Sequence, residues 1–384
     1  MAVRTPPRHS TDLRDSVGPR LTTIDTDIHH GIRNKTDLFP YLSRVYADRY
    51  DEYGAGGGGN LYAYNGGVRG YRADVVDGQS PGGLGAAATN IDMTIADLMD
   101  GCGIDIGMLT GSSMYGAAAM PDLDYSSALV RAFNDFTIEH WLARDSRFRF
   151  SMGICPQDPP QAAAEIDRIG GHPGIVAVIL PCGAPRAFGQ RFYHPIFEAC
   201  ERNNLTVALH FATEGTGVNP PPTSAGYPSY YVEARQARPA YYQAHLASMV
   251  FEGWFDRFPT LKVAMLEGGF AWVPPFIWKM DQDWKGLRYQ VPWVKRLPSE
   301  FVKERVRFAT QPLEEPDPPG AIHQLVEWMD GKNTLMFASD YPHWDWDDPR
   351  GTLTQLDPAL RRRIFVENAL DAFPKMRISV GAQA

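Results

Sequence analysis

Short apolar runs alternate with longer amphipathic stretches along most of this chain. The runs predict strands over Leu21–His29, Ile104–Leu109, Arg149–Cys155, Ile175–Pro181, Leu205–Phe211, Lys262–Glu267, Arg305–Ala309 and Thr334–Ser339. Between them the apolar positions fall at helical spacing. The first helix expected is Thr36–Tyr50, with Leu38, Leu42, Val45 and Tyr46 on one face and Thr36 or Asp37 as its cap. Further helices are expected over Ile91–Gly101, Tyr125–Arg144, Gln161–Ile169, Pro195–Asn203, Ala240–Phe258, Ile322–Met329 and Pro358–Phe373. Phe270–Trp284 also reads as a helix, with Pro274 and Pro275 in its first turn. Eight strand–helix alternations predict an α/β fold, a parallel (β/α)8 TIM barrel. A doubly wound open sheet is the alternative. It would need a glycine-rich turn between a strand and a helix, and neither Gly54–Gly59 nor Gly66-Gly67 is so placed.

Residues 51–90 interrupt the alternation. They are rich in glycine, with Tyr53, Tyr62, Tyr64 and Tyr71 interleaved. A long insertion of this kind is expected to reach over the barrel mouth or into a neighbouring subunit. The remaining organisation reads as a flexible polar arm (1–20), the barrel (21–374) and a short tail (375–384). Among 384 residues, 44% are hydrophobic and 21% charged, and the net charge is −8. That balance excludes nucleic acid as the expected partner, and no apolar run has membrane-spanning length. Four cysteines without a CxxC pair fit a reducing cytoplasm and no disulfide framework. The profile suits an enzyme acting on a small molecule, in a homo- or hetero-oligomer.

Candidate chemistry gathers where the strands end. Asp27 and His29 stand two apart and therefore share a strand face. His210 closes the fifth strand, Glu267 the sixth, and Asp340 follows the eighth, with His343 three residues on. Each has an ordinary reading: a hydrogen-bonded turn for Asp27-x-His29, a core histidine for His210, a helix cap for Glu267, an Asx turn for Asp340. Strand ends of one barrel converge, however, and six such groups at one mouth point to a metal site. Oxygen and nitrogen donors without thiolate suit zinc, manganese or iron. Six donors exceed what one ion needs, so either two ions share a carboxylate, or one ion leaves Glu267 and His343 as base and orienting pair. Asp340, Glu267 and His343 are the candidate catalytic residues. For substrate binding the rim offers Phe211, Trp272, Trp344 and Trp346, with Tyr230 and Tyr231 nearby; Trp272 and Trp346 suit barrel–helix packing as well. Arg235 and Arg238 either meet a substrate carboxylate or face solvent. His245 reads as a core or supporting residue, and Cys155 and Cys182 as small buried ones.

The set Asp27-x-His29, His210, Phe258-Pro259-x-Leu261-Lys262, Glu267-Gly-Gly and Ser339-Asp340-Tyr-Pro-His343 resembles the amidohydrolase superfamily. The similarity is to its branch of aminocarboxymuconate-semialdehyde decarboxylase, γ-resorcylate decarboxylase and carbon–carbon bond hydrolases, from about Thr23 to Glu367-Asn368-Ala369. It implies Asp27, His29, His210 and Asp340 as metal ligands, with Asp340 also handling the proton. Two departures stand out: Asp-x-His replaces His-x-His, and Glu267 stands where many of the branch have histidine. No lysine ends a strand near the pocket, so a carbamylated lysine is not expected. The resemblance implies a metal-dependent hydrolase or lyase acting on a small carboxylate or carbonyl compound. A subgroup similar to α-aminoisobutyrate hydroxylase gives the alternative, a dinuclear iron/manganese monooxygenase served by an electron-transfer partner. A third reading is a non-catalytic paralogue within a larger complex.

Overall fold

The aliphatic runs form parallel strands because each is covered on both faces, by the barrel interior and by a layer of helices. In the computed structural model, which describes residues 21–55, 70–72, 74–77, 85–111, 115–318 and 320–376, the strands are β1 (Ile24–Ile28), β2 (Ile106–Leu109), β3 (Phe148–Gly153) and β4 (Ile175–Pro181). They continue as β5 (Thr206–His210), β6 (Val263–Leu266), β7 (Val306–Ala309) and β8 (Leu335–Met336). Their order in the sheet follows the chain, every neighbouring pair is parallel, and every strand residue is buried. The sheet curls into a nearly closed barrel, as the alternation predicts. The expected arm 1–20, residues 377–384 of the tail, and Tyr62 and Tyr64 lie outside the described residues.

Closure is made mostly without a ladder. Thr26 N and Thr26 Oγ1 both donate to Phe337 O (3.2 and 2.7 Å), and Ile28 bridges Tyr341. The buried Asp25 carboxylate accepts from Ser339 N at 2.9 Å and from Ser339 Oγ at 2.5 Å. This corrects the expected eighth strand, Thr334–Ser339: Gly331–Thr334 form a helical turn, and beyond Met336 only isolated backbone bonds at Phe337 and Tyr341 reach β1, with the Asp25 side chain taking the Ser339 N–H between them.

Several helices differ from expectation for local reasons. Thr36–Tyr50 divides into a 3-10 turn, Lys35–Tyr41, and a helix, Arg44–Tyr53, with extended backbone at Leu42 and Ser43. Pro40 supplies no N–H to carry a helix through. The cap is Asn34, whose N–H is bonded by Asp37 at 2.8 Å, and Val45 is exposed. Ala240–Phe258 becomes Arg238–Phe251 and Trp254–Arg257, parted at Gly253 with φ +76°. Helices at Tyr231–Gln236 and Pro298–Arg305 were not signalled by spacing. No helix among the described residues is long and apolar enough to cross a membrane.

Candidate metal centre

The carboxyl ends of β1, β5, β6 and β8 bring the six expected groups together. Asp27 and His29 leave β1 on one face, and His29 Nε2 lies 3.4 Å from Asp27 Oδ1 and 2.9 Å from Asp340 Oδ1. His210 Nε2 stands 3.1 Å from Asp27 Oδ2 and 3.4 Å from Glu267 Oε2. His343 Nδ1 approaches Asp340 Oδ1 at 2.6 Å. Two overlapping triads result, Asp27–His29–His210 and His29–Asp340–His343, each with donor atoms within 4.8 Å of one another. Asp340 and Glu267 both take left-handed backbone, φ +63° and +55°. Non-glycine residues rarely adopt it, and it costs about 1–2 kcal/mol each. Tertiary contacts impose it on two of the three carboxylates at the mouth.

The glycines after Glu267 explain that motif. A Cβ on Gly268 would lie 2.7 Å from the Tyr242 ring, and Gly269 has φ +64°. Glu314 then accepts from Phe270 N and Ala271 N at 2.9 and 2.6 Å, fixing the turn.

Whether these residues fit a cation is tested by their unmet valences. His29 Nδ1, His29 Nε2 and Asp340 Oδ2 are buried with no hydrogen-bond partner. His29 Nε2 therefore faces two carboxylates without a bond of acceptable direction to either. Buried polar atoms left so are costly, and a cation between His29 Nε2 and the Asp27 and Asp340 carboxylates would meet the ring nitrogen that faces them. Phe211 O accepts from His210 Nδ1 at 3.0 Å; a carbonyl cannot donate, so in the neutral ring the proton sits on Nδ1, leaving Nε2, turned into the site, free to bind an ion.

The electrostatics agree. Burial disfavours the His210 cation, yet Asp27 beside it pushes the group up to about 9. For His343 burial is likewise outweighed by Asp340, again to about 9. Burial works against the Asp27 and Asp340 carboxylates, but the neighbouring histidines hold both below the usual range. Glu267 is pushed up, by burial first, against the pull of Arg238. The field of the carboxylates thus favours positive charge beside them, on the imidazoles or on a cation.

Of the two readings left open for Arg238, a substrate contact or a solvent-facing side chain, the structure rules out the second. The side chain is buried, with Nη1 2.8 Å from Glu267 Oε1 and its guanidinium 4.3 Å from the centre of the Phe211 ring. Arg235 pairs with Asp345 and lies over Trp344, which is half-exposed. Trp346 packs beneath Arg72, 4.0 Å away. Trp272, for which both a rim and a packing role were open, is a buried packing residue, edge-on to Phe308 and Phe276, with Nε1 3.1 Å from the carbonyls of Gly268 and Gly269. His245 is core: Phe188 N donates to its Nδ1 and its Nε2 donates to Cys182 O. Cys155 and Cys182 are buried.

Some contributors were not singled out from sequence. Thr110 Oγ1 donates to Asp27 Oδ1 at 2.7 Å, and Tyr115 stacks on His210 with ring centres 5.1 Å apart. Both follow β2, whose end carries no ionisable group to draw notice. Asp25 likewise acts through a contact far along the chain, and Tyr71, named among the tyrosines of the insertion, had no partner that the sequence could assign.

A family model described as Amidohydrolase matches residues 104–375. Gamma-resorcylate decarboxylase of Polaromonas sp. (strain JS666 / ATCC BAA-500) is 23% identical over 302 residues, 72% of this chain and 85% of that protein. A solved amidohydrolase of Mycobacterium avium subsp. paratuberculosis K-10 superposes with TM-score 0.67 at 18% identity, covering 92% of this chain and all of that one (100%). The 5-carboxyvanillate decarboxylase of Novosphingobium aromaticivorans DSM 12444, complexed with manganese and 4-hydroxy-3-methoxy-5-nitrobenzoic acid, gives TM-score 0.63 at 22% identity over 92% and 96%. None of these three carries an oxygenase name, so the monooxygenase alternative draws no support from them.

Proposed function

Because the chain belongs to the amidohydrolase family, we propose that it is a metal-dependent lyase that removes carbon dioxide from a small aromatic carboxylic acid. The observation that carries this reading is the convergence of Asp27, His29, His210 and Asp340, with the buried unmet atoms of His29 and Asp340 at its middle. The decarboxylase names of two similar proteins support the reaction class. One divalent ion, manganese or zinc, suits the centre, because Arg238 already occupies Glu267 and Asp340 already occupies His343 Nδ1. When bound, the ion supplies Lewis acidity toward a substrate oxygen.

The chain's own residues do the rest. Decarboxylation places a proton on the ring carbon as the bond to the carboxylate breaks and carbon dioxide leaves. The acid form of the substrate brings that proton: Asp340 Oδ2, buried and without a partner, takes it up and passes it to the ring carbon, so that none is consumed overall, and His343 holds the other oxygen and so fixes the carboxyl plane. Arg238 and Phe211 form a charged, flat wall beside Glu267 that orients a planar anion.

The test is metal content of protein purified without chelator, together with carbon dioxide release from hydroxylated benzoates under argon. One ion per chain, oxygen-independent release, and a drop of at least about a hundredfold in Asp340→Asn are expected. Two redox-active ions with turnover that stops under argon would overturn the reading. Unchanged activity of an Asp340→Asn assembly would point to the non-catalytic paralogue.

A further inference from the structure

The insertion contributes a short strap to the barrel mouth. Gly70–Arg72 runs antiparallel to the loop after β8, with Tyr71 bridging His343. Arg72 N donates to Pro342 O at 2.9 Å and Trp344 N donates to Gly70 O at 3.3 Å. Arg72 fastens the strap: its guanidinium lies 4.0 Å from the Trp346 ring centre, with Asp74 at 2.8 Å and Asp97 at 3.3 Å. Tyr71 thereby stacks on His343, ring centres 5.7 Å apart and planes 19° off parallel. His29 lies against the same imidazole, its ring centre 4.2 Å away. None of the strap falls within the residues matched by the family model, 104–375.

From this sandwich we propose that Tyr71 is a positioning residue, supplied by the insertion, that acts through His343. A surface loop leaves an imidazole free to rotate about χ1 and χ2, and the hydrogen bond to Asp340 fixes only one end of it. A ring laid along the imidazole removes the remaining freedom, so Asp340 keeps its plane. The role in turnover rests on the reaction proposed above; the confinement of His343 does not.

The experiment compares Tyr71→Phe, which keeps the ring, with Tyr71→Leu, which keeps apolar bulk without it, and with Arg72→Met, which unfastens the strap. In zinc-loaded protein the His343 Nδ1 proton, identified by its loss in His343→Gln, should give a discrete downfield NMR signal. That signal should persist in Tyr71→Phe and broaden beyond detection in Tyr71→Leu and Arg72→Met. In turnover, Tyr71→Leu should lower kcat about ten- to a hundredfold with KM and bound metal unchanged, and should add nothing in a His343→Gln background. A sharp signal in Tyr71→Leu, no such signal in the unsubstituted protein, or equal kcat losses with and without His343 would overturn the proposal. Retained NMR behaviour with no decarboxylation by the unsubstituted protein would instead overturn the reaction and leave the confinement standing.

Discussion

Replacing Arg238 by methionine tests the charge balance of the mouth. Arg238 Nη1 and Glu267 Oε1 are 2.8 Å apart and both side chains are buried, so removing the cation leaves Glu267 uncompensated near Asp27 and Asp340. Breaking a buried pair from one side costs about 3–5 kcal/mol. Arg238 Nε and Nη1, however, make no well-directed hydrogen bond, Nη1 meeting Glu267 only as an ion pair, so methionine also relieves unmet buried donors, and the lower end, about 3 kcal/mol, applies. With 384 residues, the entropy of unfolding is about 0.8 kcal/mol per kelvin, so metal-free Arg238→Met should melt about 4 °C below the unsubstituted protein. The double variant Arg238→Met/Glu267→Met removes both charges and should recover most of that loss. Added manganese should raise the Tm of the single variant more than that of the unsubstituted protein, since the ion then offsets Glu267 as well. Scanning calorimetry of the chelated and manganese-loaded proteins reads all of these. An unchanged Tm in the single variant, or a double variant less stable than the single, would refute the reasoning.

Two further outcomes follow from buried groups near the mouth. His245, stacked on Phe188, is held by burial at about 4 against an ordinary 6.5; being neutral when folded and protonated when unfolded, it contributes stability that is present above pH 6.5 and lost as pH falls toward 4. His245→Phe should therefore flatten the fall of unfolding free energy with acid over that window by about 1.4 kcal/mol per pH unit, seen as a shallower Tm–pH curve, and a parallel Tm–pH curve would exclude this role. Gly268→Ala drives a methyl to 2.7 Å from the buried Tyr242 ring and should cost about 1–3 kcal/mol while loosening metal binding; thermal and metal titrations that match the unsubstituted protein would contradict the packing described.

Much of this architecture is carried by local order. The strand runs are apolar over their whole length because both faces are covered, so their positions and parallel arrangement follow from the chain alone. Asp27, His29, His210, Glu267 and Asp340 are recognisable for a related reason: a charged group directly after such a run has few places to go but the barrel mouth. Boundaries are less readable where the deciding contact is distant. Val45 fits a helical stripe and is nevertheless exposed, since extended backbone at Leu42 and Ser43 resets the helix phase. Trp272 fits a rim but packs on Phe308, a neighbour only after β6 and β7 pair.

The residue types of the site and the barrel that gathers them were thus set by the chain's own pattern. Their partners were not. Asp25 finds Ser339 across 314 positions, Asp27 meets Thr110 and His210 across 83 and 183, and Tyr71 reaches His343 from an insertion with no periodicity of its own. Periodicity reports only which face a residue occupies relative to its neighbours. Which side chain stands opposite is decided when the barrel closes, and closure fixes the protons, ion pairs and left-handed carboxylates on which the chemistry depends.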